Sequence, residues 1–224
     1  MAAPASAANL LTNGSFETGN FSGWNVTTTG GGTAPVVIAY GQASGYPTGA
    51  FGEAIPKDPY FFTGSQDNAG NYAAYFSSDT ANPHSITQTG TINFTAGQTY
   101  NLGFDYYVPL NGFNNPNDAS LTFTATFNGQ TFNLTNLTTG SATSNTPPAT
   151  WLQFQTSITP TVSGTATVSF NYFAQGVTAA DFVVDRVFVQ TAVPEAATWG
   201  MMIVGFAAIG SVMRRRKTTV AFAA

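Results

Sequence analysis

Few side chains in this chain of 224 residues have reactive chemistry to offer: ten carboxylates, one histidine and no cysteine. The missing cysteine excludes disulfides, thiolate zinc sites and cysteine nucleophiles. His84 stands in an Asn-Pro-His-Ser turn and reads as a surface residue rather than a general base; a single imidazole cannot build a zinc set. There is no G-x-S-x-G elbow, no P-loop and no G-x-G-x-x-G, so the usual signatures of acyl transfer, phosphate binding and dinucleotide binding are missing. A carboxylate pair for glycoside hydrolysis is defined by a separation of about 5–9 Å in space, which spacing in sequence does not report; a glycan-active hydrolase stays as a remote alternative to a non-enzyme. Two acids stand out by position. Asp185 shares strand parity with Val183, Val187 and Val189, and a carboxylate in an apolar row is costly to bury unless it is neutralised or hydrogen-bonded. Glu17 follows the first short strand. Asp185 is open to a plainer reading, a contact with Arg186 or with backbone at a sheet rim.

The elements that must position these groups are strands. Charged residues make up 7% of the chain, against a usual ~25%, so the polar surface comes from neutral groups, here 34 Thr and 18 Asn. Thr, Phe, Tyr and Val favour strands, and Gly, Asn and Pro favour turns. An all-α fold is excluded, and so is nucleic-acid binding, which needs clustered cations. Alternation is clear in several runs. Leu102, Phe104, Tyr106 and Val108 share one face; Leu121, Phe123, Ala125 and Phe127 oppose Thr122, Thr124 and Thr126; Ala166, Val168, Phe170 and Tyr172 oppose Thr167, Ser169 and Asn171. A period of 2, apolar in and polar out, belongs to antiparallel sheets with one wet face. Asn128-Gly129 between two such runs signals a type I′ hairpin. The expected strands are 15–16, 24–28, 36–40, 72–76, 85–94, 99–108, 121–127, 130–134, 152–158, 165–173 and 182–190. The fold class they predict is all-β, a two-sheet antiparallel β-sandwich (jelly roll) over residues 9–190, followed by one C-terminal transmembrane helix.

The chain's charge is divided. Residues 1–193 hold nine acids and two bases, Lys57 and Arg186, whereas 194–224 hold Glu195 against Arg214, Arg215, Arg216 and Lys217. Residues 196–213 are 18 in a row without a charge, the short end of a bilayer span of ~17–25 residues. The basic cluster that follows obeys the positive-inside rule and would keep the C-terminus cytoplasmic. Val193-Pro194-Glu195-Ala196-Ala197-Thr198-Trp199, then the apolar run, then the basic end 214–217, resembles the PEP-CTERM sorting signal. That resemblance implies recognition and processing by an exosortase, insertion in the inner membrane through 196–213, and an exported protein that ends on the cell surface or in an extracellular matrix associated with exopolysaccharide or biofilm. Ala196 departs from the family pattern, which has a second Pro there. The family also implies a signal peptide. Residues 1–8 carry no basic or apolar region, but Ala5-Ser6-Ala7 fits the small-residue end of one, so 1–8 read as its remnant or as a disordered start; 218–224 read as a disordered tail.

A second resemblance lies at the two ends of the sandwich. Asn9-Leu10-Leu11-Thr12-Asn13-Gly14-Ser15-Phe16-Glu17 with Gly23-Trp24, and Phe182-Val183-Val184-Asp185-Arg186-Val187-Phe188-Val189 at the last strand, resemble family 4/9 carbohydrate-binding modules, galactose-binding-like jelly rolls. This implies a non-catalytic glycan-binding unit, and one structural Ca²⁺ held by Glu17 and Asp185 with backbone carbonyls. The polar positions Asp105, Tyr107, Gln153 and Asn171, among the threonines, are the expected glycan contacts, set against a merely solvated face. The connection 41–71 is unusually long and carries Tyr46, Phe51, Tyr60, Phe61 and Phe62. Its aromatics either make a binding patch, with Tyr60, Phe61 and Phe62 as ligand contacts, or fold down to cap the sandwich. A purely structural surface protein without a glycan ligand is the alternative function.

Overall fold

The computed structural model describes residues 7–30, 33–59, 70–77, 82–110, 118–139, 147–176, 181–192 and 196–214. The chain divides into two compact units, 7–192 and a second made of 1–6 with 193–224. The first unit is an antiparallel sandwich. Its strands are β1 (Trp24–Thr28), β2 (Val36–Ala39), β3 (Tyr72–Phe76), β4 (His84–Gln88), β5 (Ile92–Phe94), β6 (Tyr100–Tyr107), β7 (Ala119–Phe127), β8 (Gln130–Thr139), β9 (Leu152–Ile158), β10 (Gly164–Ala174) and β11 (Phe182–Thr191). One sheet runs β1-β4-β10-β7-β8 with β5 also on β10; the other runs β2-β3-β11-β6-β9.

Alternation builds the core between them. Phe104 of β6 faces Phe170 of β10 edge-on at 4.8 Å, and Phe170 stacks on Phe123 of β7 at 4.7 Å. Tilted and edge-on rings at such distances add to the burial of their area. Every buried hydrophobic residue among those described lies between Leu11 and Val189, so the 7–192 unit carries its whole core. Asn128-Gly129 makes the β7–β8 turn with both residues at positive φ, as a type I′ turn requires.

Three departures from the sequence expectation have local causes. The run 85–94 is two strands, β4 and β5, broken where the register against β10 shifts: Thr87 is opposite Ser169, whereas Ile92 is opposite Ala166. Residues 15–16 are a turn, with Phe16 at φ 55°. His84 is not a surface residue: it opens β4, is fully buried, and lies parallel to the Tyr172 ring at 6.4 Å; burial lowers its pKa.

The opening segment extends the second sheet. Beyond the β3 pairing, Asn9 clamps β11 through Asn9 Nδ2 to Val187 O (2.9 Å) and Val189 N to Asn9 Oδ1 (3.1 Å). Val187 N then donates to Gly14 O. A side chain at Gly14 would meet Val187 O at 2.1 Å, so only glycine permits this approach.

The second unit contains α1 (Ala196–Arg214). Met202, Ile203, Val204, Phe206 and Ile209 are exposed on it. Among the described residues no helix is long and apolar enough to cross a membrane. Val193, Pro194, Glu195, Arg215, Arg216 and Lys217 lie outside the described residues.

Candidate functional site

Much of the outer face of the β2-β3-β11-β6-β9 sheet, over β2, β3, β11 and β6, is closed to water, while Gln153 and Gln155 of β9 stay exposed. The strap 40–58 folds across it and creates a second apolar cluster of Ile38, Ala50, Ile55, Ala73, Tyr75, Tyr107, Trp151 and Val183. Two bonds pin the strap. Trp151 Nε1 donates to Pro56 O at 2.8 Å, and Gly41 N donates to Ile55 O at 2.8 Å. The described part of the connection, 41–59, therefore acts as a cover over this face, and Tyr46, Ala50 and Ile55 supply apolar area to it.

Beneath the strap lies a buried charge cluster. The cause is a β-bulge in β11: its register against β6 shifts between Asp185 and Phe188, and Arg186 sits at φ 51°. A bulge inserts one residue and breaks the period of 2. This corrects the parity expected for Asp185. Val187 and Val189 belong to the core between the sheets, whereas Val183 packs in the cluster under the strap. Asp185 lies on the strap side too, where its Oδ2 accepts from Tyr40 OH (2.5 Å) and its Oδ1 from Arg186 N (2.6 Å). The Arg186 guanidinium is fully buried, 3.5 Å from Asp105 Oδ2 and 3.9 Å from Asp58 Oδ2. One guanidinium thus faces several carboxyls in a dry pocket. Burial, then Asp58, push the Asp105 carboxyl up to about 10, against the downward pull of Arg186. Burial also raises Asp185 well above the ordinary carboxylate range. Nothing in the sequence flagged Arg186 as a core residue; the one available signal was a lone base directly after an acid in an apolar strand.

The structure sorts the expected ligand residues into different places. Asp105 and Tyr107 are buried beneath the strap, not on an open face. Tyr107 OH donates to Glu53 Oε1 at 3.2 Å, and burial with the Glu53 charge pushes that phenol up to about 12. Gln153 lies opposite Asp105 in the β6–β9 register and is exposed. Asn171 is on the other sheet, between Ser85 and Thr122, where its amide donates to Thr124 Oγ1 at 3.3 Å. The polar positions expected to form one face therefore occupy the outer faces of two sheets. Tyr60, Phe61 and Phe62 lie outside the described residues.

What the strap presents to solvent is a site the sequence only hinted at. Phe51 is 43% exposed at φ 46°, an uncommon backbone state for a bulky residue. Its ring stacks on Tyr46 at 5.7 Å and 14°. Tyr46 OH is fixed by Ala34 O at 3.1 Å. Two residues on, half-buried Glu53 offers its carboxylate, and Lys57 is exposed nearby in sequence. An exposed ring stacked on a hydrogen-bonded tyrosine, two residues before a carboxylate, has the chemistry to stack on an apolar ring face and to accept hydroxyl hydrogen bonds.

Glu17 and Asp185 are in Coulombic reach of each other. Glu17 accepts the backbone N–H groups of Asn71 (2.8 Å) and Tyr72 (3.0 Å), clipping the start of β3. Glu17 Oε1 accepts both of these N–H groups, so its in-plane lone pairs are used, whereas Glu17 Oε2 and each Asp185 oxygen accept one bond and keep a second lone pair, a hard donor of the type calcium takes. Among the described residues no three His, Asp or Glu side chains converge on one point as metal ligands.

Comparison with known proteins bears on both units. Residues 192–217 match the PEP-CTERM protein-sorting motif. No curated protein matches the chain. Among solved structures, TmCBM61 in complex with beta-1,4-galactotriose is similar at TM-score 0.51 and 16% identity, covering 83% of this chain and 100% of that one. The CBM22-1 xylan-binding domain of Paenibacillus barcinonensis Xyn10C aligns at TM-score 0.42 and 16% identity, over 84% and 97% of the two chains. A family 16 carbohydrate-binding module aligns at 0.40 and 15%, over 81% and 99%. The chain thus carries a PEP-CTERM sorting motif at its C-terminal end, behind a β-sandwich whose structural neighbours are carbohydrate-binding modules.

Proposed function

We propose that this is an exported, exosortase-processed surface or matrix protein whose 7–192 unit is a non-catalytic glycan-binding module associated with exopolysaccharide. The observation that carries the reading is the Phe51–Tyr46 stack with the Glu53 carboxylate, held on the strap of a fold shared with a galactotriose-binding module and followed by a sorting motif. Before processing, the apolar run 196–213 and the basic end 214–217 would hold the chain in the inner membrane with its C-terminus cytoplasmic; the exposed Ile203, Val204 and Phe206 suit that stage. Glu17 and Asp185 would hold one structural Ca²⁺, completed by backbone carbonyls. A second reading, a purely structural surface protein, is favoured by the outer face of the other sheet, where Thr27, Ser85, Asn171, Thr122 and Asn136 form an uncharged row.

The test is affinity electrophoresis of residues 7–192 against the host exopolysaccharide and a panel of soluble glycans that includes β-1,4-galactan, run with calcium and with EDTA. Retardation by a glycan is expected, and Phe51→Ala should weaken it about tenfold, ~1.4 kcal/mol. No retardation by any glycan moves the weight to the structural reading. A melting temperature unmoved by millimolar calcium or EDTA removes the metal. Truncation after residue 192 should leave retardation unchanged while abolishing delivery to the cell surface, read by fractionation; surface delivery without the tail would count against the sorting role.

A further inference from the structure

A cavity of about 400 Å³ opens between the sheets where their edge strands β8 and β9 part. The sequence makes it by leaving out bulk. Along β7 and β10 the inward rows are filled by Phe123 and Phe170, but toward one end they shrink to Ala125, Val168 and Ala166. From the facing sheet, Ile158 of β9 lines that space. Phe132 of β8 pairs with Ala125, and so faces inward, yet is 52% exposed; Val162, on the loop after β9, is 56% exposed. A closed sandwich buries such side chains. Among the described residues the wall of the cavity contains no charged group; its hydroxyl residues are Thr159, whose Oγ1 shares a hydrogen bond with Thr99 Oγ1 at 2.8 Å, and Thr161.

We propose that this cavity binds a linear acyl chain, with the chain's polar end at Thr159 and Thr161. The chemistry points to that class. An apolar wall without charge disfavours a sugar or a charged group inside it and leaves any polar end at the mouth, and the volume is in the range of small-molecule sites. At ~30 Å³ for a water-sized group it holds roughly a dozen methylenes. The site is separate from the strap and its aromatic pair, and stands whether or not the glycan reading does.

The 7–192 unit carries its own core and lacks the apolar helix, so it is the right object for the test. Dodecanoate is titrated by calorimetry, and in parallel the protein is co-sedimented with phosphatidylglycerol vesicles. Dodecanoate should bind, and Ala125→Leu, which fills the floor, should weaken it more than tenfold while the melting temperature holds or rises. Phe132→Ser at the mouth, an exposed position, should weaken binding without unfolding the protein. Binding to vesicles as well would identify the chain as esterified in a lipid; binding to dodecanoate alone would identify a free fatty acid. Failure of the wild-type unit to bind dodecanoate, or equal binding by both variants, overturns the proposal.

Discussion

Arg186→Met should cost the sandwich about 3–5 kcal/mol, the range for removing one partner of a buried ion pair. Arg186 is among the largest fully buried side chains of the protein and lies within 4 Å of Asp58 and Asp105. Methionine has similar bulk and the same Cβ, so the strain of φ 51° is unchanged and the substitution isolates the charge. Without the guanidinium the strap loses the cation joining Asp58, on its own end, to Asp105 on β6. Urea unfolding of the 7–192 unit reads the loss. The fluorescence of Trp151, which is bonded to Pro56 O in the strap, reports whether the strap lifts before the sandwich opens. Adding Asp58→Asn and Asp105→Asn to Arg186→Met should recover much of the loss, because the carboxyls left behind cause most of the cost. A single variant within ~1 kcal/mol of wild type would show that the cluster does not hold the strap.

Several strands were legible because a dry row alternates with wetter neighbours, as in β7 and β10. Leu102, Phe104 and Tyr106 alternate with polar neighbours and do lie in the core between the sheets. The β7–β8 hairpin was legible for a different reason, since Asn-Gly specifies its own turn. The strap was half legible. Its length and aromatic content marked it as unusual, but whether Tyr46 and Phe51 point down or out depends on a tertiary surface the sequence does not describe; in the structure Tyr46 goes partly down and Phe51 stays out. The buried cluster was not legible. Counting by twos places Asp185 with Val187, and only the bulge at Arg186 sets them on opposite faces. Asp105 and Tyr107 likewise alternate as outward residues, and outward is where they point; the covering strap, 50 residues earlier in sequence, turns outward into buried. Local periodicity reports which side of a strand a residue occupies and is silent about what lies over that side.

The same cluster should make the protein less stable as pH rises. Asp105 is fully buried, and its carboxyl is pushed up to about 10 by burial first and by Asp58 second, with Arg186 opposing. In the unfolded chain it titrates near the ordinary ~3.9. Between those values the native state binds a proton that the unfolded state does not, so the stability derivative with pH is negative. Stability from this group is fully present below about pH 4 and is lost progressively toward pH 10, with a slope of at most ~1.4 kcal/mol per pH unit. The groups that set the balance are Asp58 on the strap, Asp185 and Arg186 on β11, Tyr40 at the end of β2, and Glu17. Asp185, raised by burial, adds a slope of the same sign, and Tyr40, raised by burial and by Asp185, keeps its proton and goes on donating. Asp105→Asn replaces the protonated acid by a neutral isostere. It should leave stability at pH 4–5 near wild type, raise it at pH 8–9, and flatten the profile without abolishing its slope. The urea midpoint of wild type and variant from pH 4 to 9 measures this. Parallel profiles, with the variant displaced equally at every pH, would mean that Asp105 is ionised in the native state and that Arg186 alone neutralises it.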